Sequence, residues 1–554
     1  MSAIVNLSPL SPISERCARE GWLAIDRDRI IRCPLLVKGE LIGPARVTRA
    51  AIDRAFAELD RGRTAADPYA SYAAIDGVQV LRHTEIDRAT MRASGRWIYR
   101  VMPALDPLAL PERDFAALDE LYAMPYERVL EWLVAVRAAL AGDPEIVARV
   151  RELERATSEH PDAFVDAAFM ALPILLDPEH AITAVDSELA HHGATGRQLL
   201  DGWVELPAQL SPGPAHVIGA GMMSPRFANA LATTRMQLRA MPTRQLHITA
   251  GNSPLIPLFS LLRAVWTKSP SVIKLPGGAA LPGSLVALAA ATAAPEHPLT
   301  RHLSMVYWRG GDAEVERLVL APGMFDRIVV WGEPDAVASV KQRSALTKVL
   351  TFNPRYAASM IGGEALAGDV VLDEVATRAV FDTMIENQKA CIASLVHYVE
   401  GDVADAERYA AAVSRALAKW DAHPHPLLDR HRGQLKRLAR GALMDARVEY
   451  HHVDGEFRSG VVVAPNDFPI KDHPMCRLVV VRPVARLEDC LGFLHHGVAT
   501  IGVYPEPRRL ALRDRIAARG VSTICPLGQA GCAAVGMGHD GMLVLGELVD
   551  WKNA

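Results

Sequence analysis

Apolar residues recur at three- and four-residue intervals through LDELYAMPYERVLEWLVAVRAAL, and residues 115–205 as a whole carry this helical spacing. The chain before it is mixed. LLVKGELIG (35–43) and GVQVLRH (77–83) read as short strands, and RAAIDRAFAELDRGR (49–63) reads as a helix. Pro207, Pro212 and Pro214 then mark a break. From residue 243 short apolar runs alternate with helical stretches. RQLHITAG, SVIKLP, LSMVYWRG and FDRIVVWG read as strands. Each is followed by a helix: SPLIPLFSLLRAVW, LPGSLVALAAATAA, DAEVERLVLA and EPDAVASVKQRSA. Four strand–helix units in succession predict an α/β fold with a parallel doubly wound sheet. Right-handed crossovers bring the strand C-termini to one edge, where such sheets bind ligands. Further on come a strand (KVLTFNP), a long helical stretch into ENQKACIAS, a strand (LVHYVEG) and a helix (VADAERYAAAVSRALAKW). Strand-like segments near 447–464 and 478–484 follow, and the last 30 residues are rich in glycine.

Length and charge narrow the classes. At about 150 residues per domain, 554 residues predict three to four domains or lobes. Lys plus Arg is 60 and Asp plus Glu is 64, a formal net charge of −4, so no basic excess points to nucleic acid. The longest apolar run, Ser253–Trp266, is interrupted by Arg263, and nothing reaches the roughly 20 residues of a membrane span. MSAIVNLSPLSPISERC lacks a basic segment followed by an apolar one, so no secretory leader is expected. The seven cysteines are odd in number and never spaced C-x-x-C, which argues against a disulfide framework and a structural zinc site. The expectation is a cytoplasmic protein with reduced thiols and no metal.

Three segments carry chemistry. In NQKACIAS, Cys391 follows a predicted helix among small and polar residues. Backbone N–H groups pointing at its sulfur would make it a nucleophile; the bland alternative is a buried structural cysteine. In HITAGNSP, a strand ends in a Gly-Asn turn, where the Asn252 amide can donate to a developing oxyanion; otherwise Asn252 tolerates a left-handed turn and Ser253 caps a helix. In SVIKLPGG, Lys274 ends a buried parallel strand and is placed to meet a ribose or phosphate, unless it is simply solvated. VIGAGMMS looks like a dinucleotide fingerprint, but it lacks a surrounding βαβ unit and an acid about 20 residues on, and is set aside.

In chain order these segments resemble the aldehyde dehydrogenase superfamily, and more closely its LuxC-type acyl-CoA (acyl-protein) reductases, which supply fatty aldehyde in bacterial luminescence. The shared elements are HITAGNSP, SVIKLP, YWRGGDAEVERLV, FDRIVVWG, NQKAC and the terminal GHDGMLVLGELVDW. The likeness covers about 240–400 well and 470–554 moderately, and not 1–115. It implies a Rossmann-like cofactor domain and an α/β catalytic domain. The implied divisions are an N-terminal region (1–115), a helical lead-in with the NAD(P)-binding domain (116–355), a catalytic domain with Cys391 (356–500) and a C-terminal return to the cofactor or oligomerisation region (501–554).

The resemblance makes Cys391 the nucleophile that takes the acyl group as a thioester. Asn252 and the Cys391 N–H become the oxyanion hole, and Lys274 touches the adenosine ribose. Trp331 and Gly332 lie under the nicotinamide diphosphate, with Gly310, Gly311 and Asp312 nearby. His539 is a further candidate as a proton shuttle, or else a loop histidine.

Two departures matter. Oxidising relatives carry a glutamate base where this chain reads TFNPRY (Thr351–Tyr356), without an acid; exchange with a thiol and hydride delivery are then favoured over release of free acid. Cofactor-binding members that prefer NAD carry a glutamate where this chain has Gly277, so NADPH is expected, with NADH the alternative and Arg309 a possible source of charge. The implied reaction reduces an acyl thioester to an aldehyde. The implied partners are an acyl-CoA or acyl-carrier donor, or a partner acyl-transferring enzyme, and a homo-oligomer. The competing functions are an oxidising aldehyde dehydrogenase and an inactive scaffold.

Overall fold

The computed structural model describes residues 12–61, 71–210, 213–427, 431–435, 447–466, 470, 473–532 and 534–554. Most of the MSAIVNLSPLSPISERC segment, and Pro212, fall outside the described residues.

Two seven-stranded sheets organise the molecule. The first has the spatial order Lys348–Phe352, Arg327–Trp331, Gln245–Ile248, Ser271–Lys274, Leu303–Val306, Leu35–Val37, Glu40–Ile42. Its first five strands are parallel, as the strand–helix alternation predicts. Ser271–Lys274 and Leu303–Val306 are buried at every position because helices cover both faces of the sheet. LLVKGELIG forms a hairpin that extends this sheet, its strand Leu35–Val37 running antiparallel to Leu303–Val306. Residues 35–42 thus extend this first sheet and do not stand apart with the N-terminal region.

The helix Leu281–Ala293 is apolar on all sides and buried from Leu281 to Ala291. It can be so because the helical lead-in, Tyr126–Gly142 and Pro144–Thr157, packs over it. Trp132 Nε1 donates to Thr300 Oγ1 at 2.8 Å within that interface. Glu154, fully buried, accepts from the Leu281 N–H at 3.2 Å and so places a carboxyl at the helix N-terminus.

The second sheet has the order Arg447–Val453, Glu456–Val463, Leu478–Val484, Ser394–Glu400, Tyr356–Ile361, Val498–Tyr504, Thr523–Pro526. One of its strands, Val498–Tyr504, runs across residue 500 and another, Thr523–Pro526, lies beyond it, so the C-terminal return begins after Pro526. In that return, helix Val544–Leu548 packs on Val329, Trp331, Leu350 and Phe352, and Asp550–Asn553 pairs with Arg235–Met241. A small sheet of Val204–Gln209, Arg235–Met241 and Asp550–Asn553 stands apart, and a four-stranded N-terminal sheet contains the long hairpin Val78–Asp87/Arg92–Pro103. VIGAGMMS forms short exposed helices and no βαβ unit. No single helix among the described residues is long and apolar enough to cross a membrane.

Candidate active site

Strand Gln245–Ile248 ends at the C-terminal edge of the first sheet, and the Gly251-Asn252 turn follows. Gly251 is there for close approach: a Cβ would come within 3.1 Å of the Gly278 carbonyl oxygen. Asn252 is not among the residues with positive φ, so a left-handed turn does not account for it. Its side chain does something else: Asn252 Nδ2 donates to the Lys389 carbonyl at 3.2 Å. This bond joins the strand-end turn of one sheet to the loop carrying Cys391. This bond engages one of the two amide hydrogens.

The loop before Cys391 is strained. Glu386, Asn387 and Gln388 have φ of 49°, 52° and 69°, three successive left-handed non-glycine residues. Met475, Cys476 and Arg477 form a second such run, with φ of 57°, 55° and 60°. The two runs interlock. Gln388 Nε2 donates to the Leu478 carbonyl at 2.6 Å, and the Leu478 N–H donates to Gln388 Oε1 at 3.1 Å. Arg477 Nε donates to Asn387 Oδ1 at 2.7 Å. Asn and Gln of the NQKAC segment therefore hold the backbone that presents the cysteine.

Cys391 is half-buried, and all seven cysteines are free. The N–H groups of Cys391 and Ile392 face the sulfur, from a turn rather than from a helix N-terminus. They do not win: burial first, and then the Asp540 carboxylate, push the thiol up to about 11, against a smaller opposing pull from Arg355. At neutral pH Cys391 is therefore a thiol. Asp540 and Arg355 lie 3.7 Å apart, and Arg355 Nη1 donates to Ser522 Oγ at 3.0 Å. Burial holds the Asp540 carboxyl above its ordinary range despite the two guanidiniums around it.

His539 packs in an aromatic cluster. Its ring lies against Phe352 (centroids 4.8 Å) and Trp331 (5.4 Å), and Arg263 Nη2 donates to its Nδ1 at 2.9 Å. Burial and the cationic neighbours push its pKa down to about 3, so it stays neutral through the physiological range. Its sequence neighbour Asp540 is the carboxylate whose charge raises the Cys391 thiol. Trp331 stacks on Phe352 at 3.9 Å and is buried, forming an aromatic wall with Arg263 over both rings. The Gly332 N–H donates to the Phe352 carbonyl at 3.4 Å. Phe352 belongs to the TFNPRY segment that carries no acid, and its ring fills this space. A carboxylate does stand elsewhere beside the loop: Glu386 accepts from Ser253 Oγ at 3.1 Å, and burial pushes it up to about 6.

Lys274 lies at its strand end, buried, with Nζ 5.6 Å from the Tyr307 ring centroid, and burial pushes its pKa down to about 8. The nearest opposing charge is Glu316, a residue the sequence reading did not single out. Glu316 accepts from the Gly311 N–H at 2.8 Å and pairs with Arg343 at 3.3 Å. Gly310 and Gly311 form the exposed turn above it. Gly277 faces open space, the nearest atom to a Cβ being Tyr307 Oη at 3.8 Å. No group of three or more His, Cys, Asp or Glu among the described residues could hold a metal ion.

The family model for acyl-CoA reductase (LuxC) matches residues 228–551, more than half of the chain. The chain belongs to the LuxC acyl-CoA reductase family. Among curated relatives, the long-chain acyl-protein thioester reductase of Photorhabdus luminescens is 28% identical over 321 residues, 57% of this chain and 64% of its own length. That of Vibrio harveyi is 25% identical over 318 residues, 56% of this chain and 64% of its own length. The chain thus spans somewhat less than two thirds of the curated LuxC relatives it matches. Among solved structures, an aldehyde dehydrogenase from Brucella melitensis biovar abortus 2308 superposes with a TM-score of 0.63 at 12% identity, covering 96% of this chain and 98% of that one. Lactaldehyde dehydrogenase from Escherichia coli gives 0.62 at 13% identity, covering 94% and 98%. The LuxC family chain therefore has the aldehyde dehydrogenase fold, as the strand–helix pattern and its motifs predict.

Proposed function

We propose that this protein reduces an acyl thioester to an aldehyde through a thioester on Cys391, using a nicotinamide cofactor. The observation that carries this is the Asn252–Lys389 hydrogen bond, which puts an amide donor beside the cysteine loop. Cys391 sulfur attacks the carbonyl carbon of the donor thioester, and the carrier leaves as its thiol. Asp540, whose charge is felt at the sulfur, takes the cysteine proton and passes it to the departing thiolate. The resulting acyl-enzyme has a carbonyl that Asn252 Nδ2 and the Cys391 N–H can hold as it becomes an oxyanion.

The residues around Lys274 fit a dinucleotide: a buried ammonium at a strand end, and an open cradle at Gly277. When bound, the nicotinamide supplies a hydride to the carbonyl carbon. Lys274 and Gly277 would hold its adenosine ribose. The side chain at Gly277 contributes no carboxylate, which supports NADPH; Glu316, which pairs with Arg343, is the acid closest in influence to Lys274. The Cys391 hemithioacetal then collapses, releasing aldehyde and returning the sulfur to its thiol.

The donor is an acyl-CoA, an acyl-carrier protein or an acylated partner enzyme. A homo-oligomer is supported by the exposed apolar residues Val217, Ile218 and Met222 on the excursion between Val204–Gln209 and Arg235–Met241. Glu386 is the observation that favours the oxidising alternative, since a carboxylate near the loop can activate water. Product analysis with acyl-CoA plus NADPH, and separately with aldehyde plus NADP+ and no thiol, decides between them. Aldehyde from the first supports reduction; free acid as the main product of the second supports oxidation.

A further inference from the structure

The hairpin Val78–Asp87/Arg92–Pro103 closes a cavity of about 880 Å3. Gly251, Gly277, Gly278 and Tyr307, from the strand ends of the first sheet, form the facing wall, and Lys389, two residues before Cys391, lines it as well. The volume is that of a site for a large small-molecule ligand. Its charge is one-sided. The lining carries four arginines and one lysine against a single carboxylate, Glu159, and its two histidines, His83 and His160, are held neutral by burial.

Arg82 is answered by Asp60 and Lys389 by Glu159, whereas the other three arginines share their carboxylates. Arg96 shares Glu85 with Arg29, and Arg92 shares Glu456 with Arg432, so among the described residues each carboxylate answers two guanidiniums. The Arg92–Glu456 pair also ties the N-terminal hairpin to the strand Glu456–Val463 of the second sheet. Beside these groups Trp97 lines the same cavity and is 40% exposed, an unusual state for an indole. The Arg82 guanidinium lies 4.7 Å from its ring centroid. An exposed aromatic face next to surplus guanidiniums matches a purine and a phosphate.

We propose that this cavity seats the adenosine end of a ligand carrying a ribose phosphomonoester, with Trp97 against the purine and Arg92 and Arg96 at the phosphate. The inference rests on the reading that the cavity opens on the Cys391 site of a thioester reductase. NADPH, with a 2′-phosphate, and CoA, with a 3′-phosphate, share this chemistry. Arg92, Arg96 and Trp97 all precede residue 228 and lie outside the family match, so the N-terminal hairpin adds binding groups that the matched region does not contain.

The test is calorimetric titration of the full chain with NADP+, NAD+, CoA and 3′-dephospho-CoA. Wild type, an Arg92→Ala/Arg96→Ala double variant and Trp97→Ala are compared. The double variant should lose about tenfold or more in affinity for the phosphomonoester ligands and about twofold or less for the others, as expected for a charge-assisted contact. Trp97→Ala should weaken all the ligands that bind wild type. A selective loss for NADP+ alone assigns the seat to the cofactor, one for CoA alone to the acyl donor, and both to a seat used in turn. Equal losses for phosphorylated and unphosphorylated partners, unchanged binding in the double variant, or no binding to wild type overturns the proposal. These titrations need no turnover and are repeated in Cys391→Ser. A protein that binds selectively yet makes no aldehyde removes the reductase reading and leaves the phosphate seat.

Discussion

Asn252 donates its side-chain amide to the carbonyl of Lys389 at 3.2 Å, across the boundary between the two large sheets. The bond ties the proposed oxyanion donor to the loop of the proposed nucleophile, so the two cannot drift apart independently. Asn252→Ala should lower kcat by about 10²–10³-fold, the usual loss for one oxyanion donor. KM for the acyl donor should change little, because the charge develops only in the transition state. Steady-state kinetics separate the two; a raised KM with intact kcat would make Asn252 a substrate-positioning group.

Asp540 raises the Cys391 thiol pKa and, in the mechanism above, also carries its proton. The two roles give opposite signs in one variant. Removing the charge in Asp540→Asn stabilises the thiolate, so alkylation of Cys391 at pH 8 should speed up several-fold, on the order of the tenfold that one pKa unit gives. Acylation by a thioester should slow by about 10²-fold, the lower range for loss of an acid–base group. Wild-type alkylation should keep rising with pH towards about 11, because the thiolate fraction grows until the pH passes the thiol pKa. The exposed Cys532 is replaced by serine for this measurement. Faster alkylation with unchanged acylation would leave Asp540 as a charge only.

Gln388 clamps both backbone groups of Leu478 inside the protein. Gln388→Leu removes the side-chain donor to the Leu478 carbonyl, leaves the Leu478 N–H with the Met475 carbonyl alone at 3.0 Å, and releases one of two interlocked left-handed runs. A loss of about 1–3 kcal/mol is expected from the one group left unsatisfied, read by chemical denaturation. A loss below about 1 kcal/mol would mean that the loop finds other partners.

Gly277→Glu should shift cofactor preference towards NADH. The site has room for the side chain, with only Tyr307 Oη near. A carboxylate there meets the 2′-OH and repels a 2′-phosphate; charges about 4–6 Å apart at an effective dielectric near 20 interact by a few kcal/mol, and solvent lowers this. A change of about tenfold to a hundredfold in relative kcat/KM follows. An unchanged ratio in the variant would show that Gly277 does not face the adenosine ribose.

The parallel sheet was legible because its strands are short buried runs and its helices are strongly periodic. The hairpin Leu35–Val37/Glu40–Ile42 read correctly as strands, but its partner, Leu303–Val306, is over 260 residues away, and local pattern carries no such pairing. The NQKAC motif pointed to Cys391 but hid the structural duty of Asn387 and Gln388, whose partners Arg477 and Leu478 lie about 90 residues on. Asp540 and Arg355 were missed because each is an ordinary charged residue until the fold pairs them and sets both charges to act on the Cys391 thiol. Arg263 did leave a signal: a lone charge in the longest apolar run, now stacked over Trp331 and Phe352. Glu316 offered none, since the carboxylate near Lys274 comes from a different helix than the one that follows its strand.

The central claim is an acyl group on Cys391. Full-length protein incubated with an acyl-CoA and no reduced cofactor, then digested and mapped by mass spectrometry, tests it directly. The account predicts one acyl adduct, on the peptide containing Cys391, absent from Cys391→Ser and discharged as aldehyde when NADPH is added. An adduct on another of the seven cysteines, or aldehyde production at wild-type rate by Cys391→Ser, would contradict it.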